Sequence, residues 1–336
     1  MKVFVTRRLP GGAVDRLAAE HDVEVWSEQM PPGREELLAR APELDGLLSL
    51  LTDPVDAELI EAAPRLKAIS NYAVGVDNVD LDAAAARGIP VGNTPDVLTD
   101  TTADLAVALM LGISRHLVEG DAYVRRGEWR TWETGLLLGH DLHGSTVGIV
   151  GFGRIGQAVA RRLEGFGCEI LHTSRRAVRE GAGAVREGAG SARTGAIPSR
   201  RTGAIPIQVQ LEELLERSDF VSLHSPLTAE TRGLIGDEAL ARMKPTAYLV
   251  NTARGPIVDS EALGRALRAG RIAGAALDVT DPEPLPGGHP LLDVPNLLVL
   301  PHLGSATEAT RARMADMAVE NLLAGLAGEP MPHSVT

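Results

Sequence analysis

A glycine-rich turn in the middle of the chain constrains the fold more than any other sequence feature. Gly151, Gly153 and Gly156 form a G-x-G-x-x-G pattern, with Phe152, Arg154 and Ile155 between them. The pattern directly follows the apolar run Thr146–Val150 and directly precedes a helical pattern. In this setting the first glycine allows a tight turn, the second lets a pyrophosphate approach the backbone, and the third lets the helix pack close to the sheet. The helix N-terminus offers N–H donors to phosphates. The turn therefore predicts a dinucleotide site in an α/β domain.

The rest of the chain alternates apolar runs with helical patterns, which predicts parallel sheets with crossover helices. With 336 residues, two domains are expected. The predicted strands are Val3–Thr6, Val23–Trp26, Gly46–Leu51, Leu66–Ser70, Thr146–Val150, Glu169–Thr173, Asp219–His224, Ala247–Asn251, Ala273–Val279 and Leu297–Leu300. The predicted helices are Arg34–Ala41, Asp56–Ala63, one long helix from Thr101 to about Arg126, Ile155–Gly167, Leu211–Arg217, Ser260–Ala269 and the amphipathic Thr307–Leu326. We expect the long helix to cross between the domains. The fold class is therefore α/β with two doubly wound parallel-sheet domains.

One segment does not fit this alternation. Residues 177–183 read AVREGAG and residues 184–190 repeat them, while residues 193–198 and 201–206 both read RTGAIP. Repeats this short, and this rich in Gly and Arg, cannot bury an apolar face. We therefore expect a flexible surface insertion.

Charge and composition exclude several classes of function. The formal net charge of −12 argues against a nucleic-acid partner, which would need a basic surface. No apolar run is long enough for a membrane helix, and the N-terminus lacks the features of a signal peptide. The single Cys168 permits no internal disulfide and fits a cytoplasmic location. His140 and His143 lack an accompanying carboxylate or thiol cluster, so no metal site is predicted.

The strand after the glycine-rich turn bears on the choice of cofactor. NAD enzymes place an acidic residue at the end of this strand to bind the ribose 2′-hydroxyl. Here the strand ends in Ser174, Arg175 and Arg176, with no carboxylate. A serine hydroxyl can donate to a 2′-phosphate and an arginine can pair with its charge. The sequence therefore predicts NADP(H) as the preferred cofactor, with NAD(H) possible.

Three later segments place reactive side chains at predicted strand ends. Residues 251–255 offer Arg254, residues 281–284 offer Glu283, and residues 301–307 offer His302. The carboxyl edge of a doubly wound sheet is where ligands bind. Reduction of a 2-keto acid requires three groups: a cation that binds the substrate carboxylate, a proton donor for the ketone oxygen, and a partner that tunes this donor. Arg254, His302 and Glu283 could supply them.

With these motifs together, the chain resembles the D-isomer-specific 2-hydroxyacid dehydrogenases. The glycine-rich turn, NTARG at 251–255, DPEP at 281–284 and PHLGSAT at 301–307 stand in the order of that family. The segments GEWRTW at 127–132 and GEPMP at 328–332 look like the glyoxylate/hydroxypyruvate reductases within it.

The resemblance implies a role for each of the three reactive residues. His302 would be the general acid in reduction, Glu283 would be hydrogen-bonded behind it and favour the imidazolium form, and Arg254 would bind the substrate as a planar fork. The backbone N–H groups of Val74 and Gly75 would bind the substrate carboxylate.

Further contacts follow from the same resemblance. The other residues implied to line the substrate site are Leu51, Ser305 and Trp132. Asp278 would orient the nicotinamide and Thr102 would touch the cofactor. The remaining implied cofactor contacts are Gly151, Gly153, Arg154, Ile155, Gly156, Pro226, Thr252 and Gly304. Relatives of this kind dimerise through the cofactor domain, so a homodimer is expected in which Trp132 reaches the neighbour's active site.

The resemblance also implies a discontinuous first domain and a cleft that closes on both ligands. Residues 1–100 and 304–336 would bind the substrate, and residues 101–303 would bind the cofactor. The expected activity is NADPH-preferring reduction of glyoxylate and hydroxypyruvate to glycolate and D-glycerate. Two alternatives stay open: another D-2-hydroxyacid dehydrogenase, such as an NAD-dependent D-3-phosphoglycerate or D-lactate type, and a dinucleotide-sensing binding protein.

Overall fold

The computed structural model describes residues 1–174 and 205–336. Arg175, Arg176 and most of the repeated segment at 177–206, where a flexible insertion is predicted, lie outside the described residues. The described chain divides into two compact units. The first unit is Met1–Thr101 together with Ser305–Thr336, and the second unit is Thr102–Gly304.

The described residues form twelve strands and eleven α-helices, numbered here in chain order. The strands are β1 (Lys2–Val5), β2 (Asp22–Val25), β3 (Gly46–Leu50), β4 (Ala68–Tyr72), β5 (Val91–Gly92), β6 (Thr146–Val150), β7 (Glu169–Thr173), β8 (Ile207–Gln208), β9 (Phe220–Leu223), β10 (Tyr248–Asn251), β11 (Gly274–Leu277) and β12 (Leu297–Val299). The helices are α1 (Ala13–Glu20), α2 (Arg34–Arg40), α3 (Ala57–Ala62), α4 (Leu81–Ala86), α5 (Thr99–Ser114), α6 (Leu117–Arg125), α7 (Arg154–Leu163), α8 (Leu211–Arg217), α9 (Asp237–Arg242), α10 (Ser260–Arg268) and α11 (Glu308–Ala327).

The first unit is built on a parallel sheet with the strand order β2-β1-β3-β4-β5. This is the flavodoxin-like order of a doubly wound sheet. Helix α11 returns from the far end of the sequence and packs on β4, burying Ala318, Val319 and Leu322. Asp56 and Asp80 cap α3 and α4 by accepting hydrogen bonds from backbone N–H groups of the first turn. The unit therefore needs both ends of the chain to complete its core.

The second unit is built on a parallel sheet with the strand order β12-β11-β10-β9-β6-β7-β8. Alternate residues of its strands enter two separate cores, with Phe220 in one and Val221 in the other. Burial on both faces explains why these strands read as continuous apolar runs. The chain winds in opposite directions from β6 and from β9, which are neighbours in the sheet. The loops after these two strands diverge and leave the crevice where such sheets bind ligands. The predicted fold class, two doubly wound parallel-sheet α/β domains, is confirmed.

The prediction of one long helix from Thr101 to about Arg126 is wrong. The segment forms α5 and α6, which are bent by 57° relative to each other. His116 lies between them in the left-handed region at φ +52°, which ends the first helix. Among the described residues no single helix is long and apolar enough to cross a bilayer; α5 and α6 meet that test by length and composition only as a bent pair.

Smaller differences concern element ends and short strands. The predicted helix Ile155–Gly167 is α7 followed by a 3-10 turn at Glu164–Phe166, and Gly167 ends it at φ +66°. The two-residue strands β5 and β8 were not predicted, because two residues show no periodicity. Strand β8 directly follows the predicted insertion and pairs with β7.

Candidate active site

The glycine-rich turn joins β6 to α7 and has the shape that a pyrophosphate requires. Gly151 has φ +93°, and a Cβ there would lie 2.6 Å from the backbone N of Ser225, in the loop after β9. At Gly156 a Cβ would overlap the carbonyl oxygen of Gly151, so only glycine lets α7 start this close. At Gly153, in contrast, a Cβ would meet nothing within 4 Å. The turn is thus packed on its protein side and open beside Gly153, where a phosphate group can approach the N-terminus of α7. These residues fit a dinucleotide.

Ser174 lies at the same edge of the sheet as the turn. It directly follows β7, and Gly151 N donates to the carbonyl oxygen of Thr173, the last residue of that strand, at 3.0 Å. The carbonyl oxygen of Ser174 accepts from Gln208 Nε2 at 3.2 Å. Ser174 is therefore placed where an adenosine ribose binds in sheets of this kind. Arg175 and Arg176, predicted to act with it, fall outside the described residues.

His302 and Glu283 form a close pair of reactive side chains in the second unit. His302 Nδ1 lies 2.6 Å from Glu283 Oε1, and the two side chains are 26% and 29% exposed. This hydrogen bond fixes the orientation of the ring and leaves Nε2 as the nitrogen that can face a substrate. The partial exposure means that a small molecule can reach the pair. The structure therefore brings together the histidine and the carboxylate that the sequence singled out.

Asp278 holds the loop that carries His302. Its buried carboxylate accepts from the backbone N–H groups of Leu303 at 2.6 Å and Gly304 at 2.8 Å, and its carbonyl oxygen accepts from His302 N at 2.9 Å. Burial raises the pKa of Asp278, and the two N–H donors oppose that rise. His302 has φ +55°, a conformation that needs such support in a non-glycine residue. Asp278 was predicted to orient the nicotinamide, and the structure shows its carboxylate bound to this loop.

Arg254 follows β10 in a loop that a buried asparagine organises. Asn251 Nδ2 donates to the carbonyl oxygen of Arg254 at 2.9 Å, and Asn251 Oδ1 accepts from Ala253 N at 3.0 Å. The partly buried Arg254 donates to the carbonyl oxygen of Ala253 at 2.8 Å. Strands β10, β11 and β12 are neighbours in the sheet, and the loops that follow them carry Arg254, Glu283 and His302. The three residues therefore come from one edge of one sheet.

The remaining predicted cofactor residues of the second unit lie around the same edge. The hydroxyl of the buried Thr102 donates to the carbonyl oxygen of Gly304 at 3.0 Å. Thr252 is buried beside the ring of His224, with its hydroxyl 3.5 Å from Nδ1. Pro226 is exposed in the loop after β9, and Arg154 and Ile155 begin α7. Trp132 is 77% exposed.

His224 is a partly buried group at this edge that the sequence reasoning missed. It directly follows β9, and Nε2 lies 2.9 Å from the hydroxyl of Ser222. Burial lowers the pKa of His224 to about 4, so the ring is neutral at physiological pH. The signal was available, because the strand-end argument that singled out Arg254, Glu283 and His302 applies equally to the end of β9.

The predicted substrate residues of the first unit lie at the carboxyl edge of its own sheet. Leu51 follows β3, and Val74 and Gly75 follow β4, the neighbouring strand. Leu51 is 36% exposed and Val74 is 37% exposed. Ser305, at the start of the returning segment, is partly buried. No group of three or more His, Cys, Asp or Glu side chains that could hold a metal occurs within residues 1–174 and 205–336.

Comparison with known proteins gives concordant matches along the chain. Residues 107–304 match the profile of the "D-isomer specific 2-hydroxyacid dehydrogenase, NAD binding domain". A glyoxylate reductase from Korarchaeum cryptofilum is 47% identical over 99% of this chain and 95% of its own length. A protein from Thermus thermophilus, known from its crystal structure, is 49% identical with a TM-score of 0.89, covering 100% of both chains. An NADPH-dependent glyoxylate/hydroxypyruvate reductase from Sinorhizobium meliloti, solved with NADP and malonate, is 34% identical with a TM-score of 0.82, covering 100% of this chain and 96% of that one.

Proposed function

The chain belongs to the D-isomer specific 2-hydroxyacid dehydrogenase family, and we propose that it reduces glyoxylate to glycolate and hydroxypyruvate to D-glycerate with NADPH as the hydride donor. It is an NAD(P)-dependent dehydrogenase and uses a nicotinamide dinucleotide. The observation that carries the proposal is the hydrogen-bonded pair of His302 and Glu283, placed on the sheet whose glycine-rich turn fits a dinucleotide. The similarity to glyoxylate reductases over nearly the whole chain supports the choice of substrate.

The proposed chemistry assigns one task to each polar side chain at the edge of the second sheet. When held at the glycine-rich turn, the reduced dinucleotide would supply the hydride for the carbonyl carbon of the substrate. His302 Nε2 gives its proton to the carbonyl oxygen, which becomes the hydroxyl, while Glu283 holds the ring through Nδ1. Arg254 binds the carboxylate and the keto oxygen with its planar guanidinium, which also stabilises negative charge that develops on that oxygen. Asp278 would orient the nicotinamide, as the family resemblance implies, and its carboxylate also holds the loop of His302.

The preference for NADPH rests on the end of β7. Ser174 stands where NAD enzymes carry a carboxylate, and the sequence continues with Arg175 and Arg176. The Sinorhizobium meliloti relative is described as NADPH-dependent, which supports the same choice here. Measuring kcat/KM with both reduced cofactors tests the preference. Ser174→Asp provides the matched variant, because a carboxylate there should repel a 2′-phosphate and move the preference toward NADH. A wild-type preference for NADH would contradict the proposal.

Exposed apolar side chains of the second unit support a homodimer. None of the residues of α6 is buried, and Leu117, Val118 and Val124 are 58%, 60% and 52% exposed. Trp129 and Trp132 follow closely along the chain and are 59% and 77% exposed. A cluster of large apolar side chains at the surface of a protein commonly marks a site of interaction with another protein chain.

The oligomeric state tests this proposal directly. Sedimentation of Val118→Asp should show monomers, whereas Leu292→Asp, at a half-exposed site elsewhere in the unit, should stay dimeric. A stable and fully active wild-type monomer would exclude the dimer.

Mixed dimers test whether Trp132 completes the neighbour's active site. If it does, Trp132→Ala and His302→Ala homodimers are both impaired, but a hybrid of the two contains one complete site. The hybrid should then regain about half of the wild-type activity per dimer. The hybrid could instead be no more active than the mean of the two impaired homodimers. Trp132 would then act in the active site of its own subunit, or in neither active site.

The assay of the proposed reaction follows the absorbance of reduced nicotinamide in four mixtures: glyoxylate or hydroxypyruvate, each with NADPH or NADH. Rapid oxidation of NADPH with both acids is the expected result. Turnover only with D-lactate, D-3-phosphoglycerate or their keto acids would place the protein with another D-2-hydroxyacid dehydrogenase. Tight NADPH binding with no turnover of any acid would favour a dinucleotide-sensing protein.

A further inference from the structure

The short loop after β4 is held by its carbonyl oxygens. The carbonyl oxygen of Ala73 accepts from Thr94 N at 2.8 Å, and that of Val74 accepts from Asn93 Nδ2 at 2.7 Å. In a trans peptide the N–H of one residue points opposite to the carbonyl of the residue before it. The N–H groups of Val74 and Gly75 therefore point away from residues 93–94. Neither N–H donates to an acceptor in the described part of the protein.

A pair of asparagines ties this loop to the loop after β3. Asn71 and Asn78 bond reciprocally through their amides, at 3.0 Å and 3.2 Å. Asn71 Nδ2 also donates to the carbonyl oxygen of Gly75 at 3.0 Å. Asn78 Nδ2 donates to the carbonyl oxygens of Leu50 and Asp53, both at 2.9 Å. The pair therefore fixes the turn after Leu50 and the loop that carries Gly75 relative to each other.

The hydrogen-bonding capacity of Asn71 is fully used in this arrangement. Its Oδ1 accepts from Ser49 and Asn78, and its Nδ2 donates to Gly75 and Asn78, while the residue is wholly buried. An aspartate could not donate, and an apolar residue would leave the carbonyl oxygen of Gly75 without this partner.

Asn93 supports the same loop from the other side. It is also buried, and both of its backbone groups are bound, to Asn321 and to His333. A side chain that donates to a loop from such a fixed position leaves the loop few alternative conformations.

We propose that Asn71, Asn78 and Asn93 are positioning residues that hold the Val74 and Gly75 N–H groups ready for the carboxylate of the 2-keto acid, and so set substrate affinity. The inference rests on the proposed function, since it takes the substrate carboxylate to bind these N–H groups. It adds that three side-chain amides, which bind the chain itself, determine how well the anion is bound. Two preoriented N–H donors bind an anion better than donors that must first be ordered.

The experiment compares Asn93→Ala and Asn78→Ala with Ser70→Ala. Ser70 is the control because it is buried and lies on β4 next to Asn71. Its replacement by Ala removes one hydrogen bond, which the hydroxyl donates to the carbonyl oxygen of Ala318 at 2.7 Å. This bond involves neither of the two loops. For each variant, KM and kcat with glyoxylate are measured together with the Kd of NADPH and the melting temperature. The Kd of oxamate, an unreactive carboxylate of similar size, is measured by calorimetry with the cofactor bound.

We expect both asparagine variants to raise the KM for glyoxylate and the Kd of oxamate on the order of tenfold, the usual effect of losing a hydrogen bond that supports a binding site. The Kd of NADPH should stay within about twofold and kcat should change less than KM. Ser70→Ala should lower the melting temperature without changing oxamate affinity.

Two results would overturn the proposal: equal loss of affinity in Ser70→Ala, or unchanged affinity in the folded asparagine variants. Should one asparagine variant fail to fold, the other decides. If wild-type protein binds oxamate but does not reduce glyoxylate, the proposed substrate fails and the oxamate comparison still tests the asparagines. Wild-type protein that does not bind oxamate would overturn the positioning role itself.

Discussion

Acidification should destabilise the second unit through His224. The pKa of this ring is lowered by burial to about 4, below the ordinary value of 6.5 that it regains in the unfolded chain. The unfolded state therefore binds the proton more tightly than the folded state does. The contribution of the neutral ring to stability is fully present above pH 6.5 and is lost as the pH falls from 6.5 toward 4.

The size of the effect follows from those two pKa values. A difference of one in pKa corresponds to about 1.4 kcal/mol, so protonation of His224 costs the folded state about 3 kcal/mol in full. Between about pH 7.5 and about pH 5 the loss is roughly 2 kcal/mol, because the folded ring is still mostly neutral at the lower pH. For a unit of this size, that loss corresponds to a decrease in melting temperature of roughly 4–8 °C.

Urea unfolding at several pH values measures the loss directly. A Trp26→Phe background leaves Trp129 and Trp132 as the fluorescent reporters, and both lie in the second unit. His224→Gln places a side chain that does not titrate at this position. On acidification from about pH 7.5 to about pH 5, the unfolding free energy of this variant should fall by about 2 kcal/mol less than that of the Trp26→Phe parent. His143→Gln, at an exposed histidine of the same unit, is the matched control and should behave as the parent. An equal loss of unfolding free energy on acidification in the His224→Gln and parent proteins would show that His224 does not cause the pH dependence.

Four further predictions concern variants of the proposed site. His302→Ala should lower kcat by a factor on the order of 10² to 10⁴, as expected for loss of a positioned acid, with an unchanged Kd for NADPH; near-normal turnover in stopped-flow reduction would refute its role. Arg254→Lys should raise the KM for glyoxylate about tenfold or more, because an ammonium cannot bind two oxygens as a planar fork; steady-state kinetics at unchanged melting temperature would show it, and an unaltered KM would argue against the contact. Gly151→Ala should unfold or strongly destabilise the second unit, since its Cβ would lie 2.6 Å from the backbone N of Ser225. Gly153→Ala, whose Cβ meets nothing within 4 Å, should melt like wild type yet bind NADPH more weakly; normal binding there would place the pyrophosphate elsewhere.

The sequence predicted the fold class and the family because those signals are local. A strand, a glycine-rich turn and a helix in direct succession fix one crossover unit, and the alternation of patterns extends it to two sheets. The prediction of a single long helix was wrong because the break at Arg115 and His116 contains neither proline nor glycine, the residues that would have indicated it. Two-residue strands such as β5 and β8 depend on their neighbours in the sheet and leave no periodic pattern.

The site was predicted less completely than the fold, because long-range hydrogen bonds have no sequence signature. Asp278 is predicted to orient the nicotinamide, a prediction that stays open; what the sequence did not indicate is that its carboxylate also binds the backbone of Leu303 and Gly304, 25 and 26 positions along the chain. Thr102 is predicted to touch the cofactor, which also stays a prediction, and the sequence did not indicate that its hydroxyl donates to Gly304, 202 positions away. Sequence order indicated which residues stand at strand ends, but not which of them bind the chain itself.

Both units use the same device at the ends of their strands. Asn251 closes β10 and binds the loop of Arg254, Asp278 follows β11 and binds the loop of His302, and Asn71 in β4 binds the loop of Gly75. Each of these polar side chains is buried, at most 1% exposed, and each binds its loop through backbone groups. A backbone partner fixes the course of the loop without depending on the identity of its side chains.

The buried polar residues therefore support the loops, and the more exposed polar residues on those loops are the ones that can contact a substrate. The reactive residue can be exposed to substrate while the loop that carries it stays ordered, since a buried polar group left unpaired is costly. A buried Asn or Asp at the end of a parallel strand is therefore better interpreted first as a support for a neighbouring loop. A partly exposed polar residue on that loop, such as Arg254 or His302, is then the candidate for chemistry.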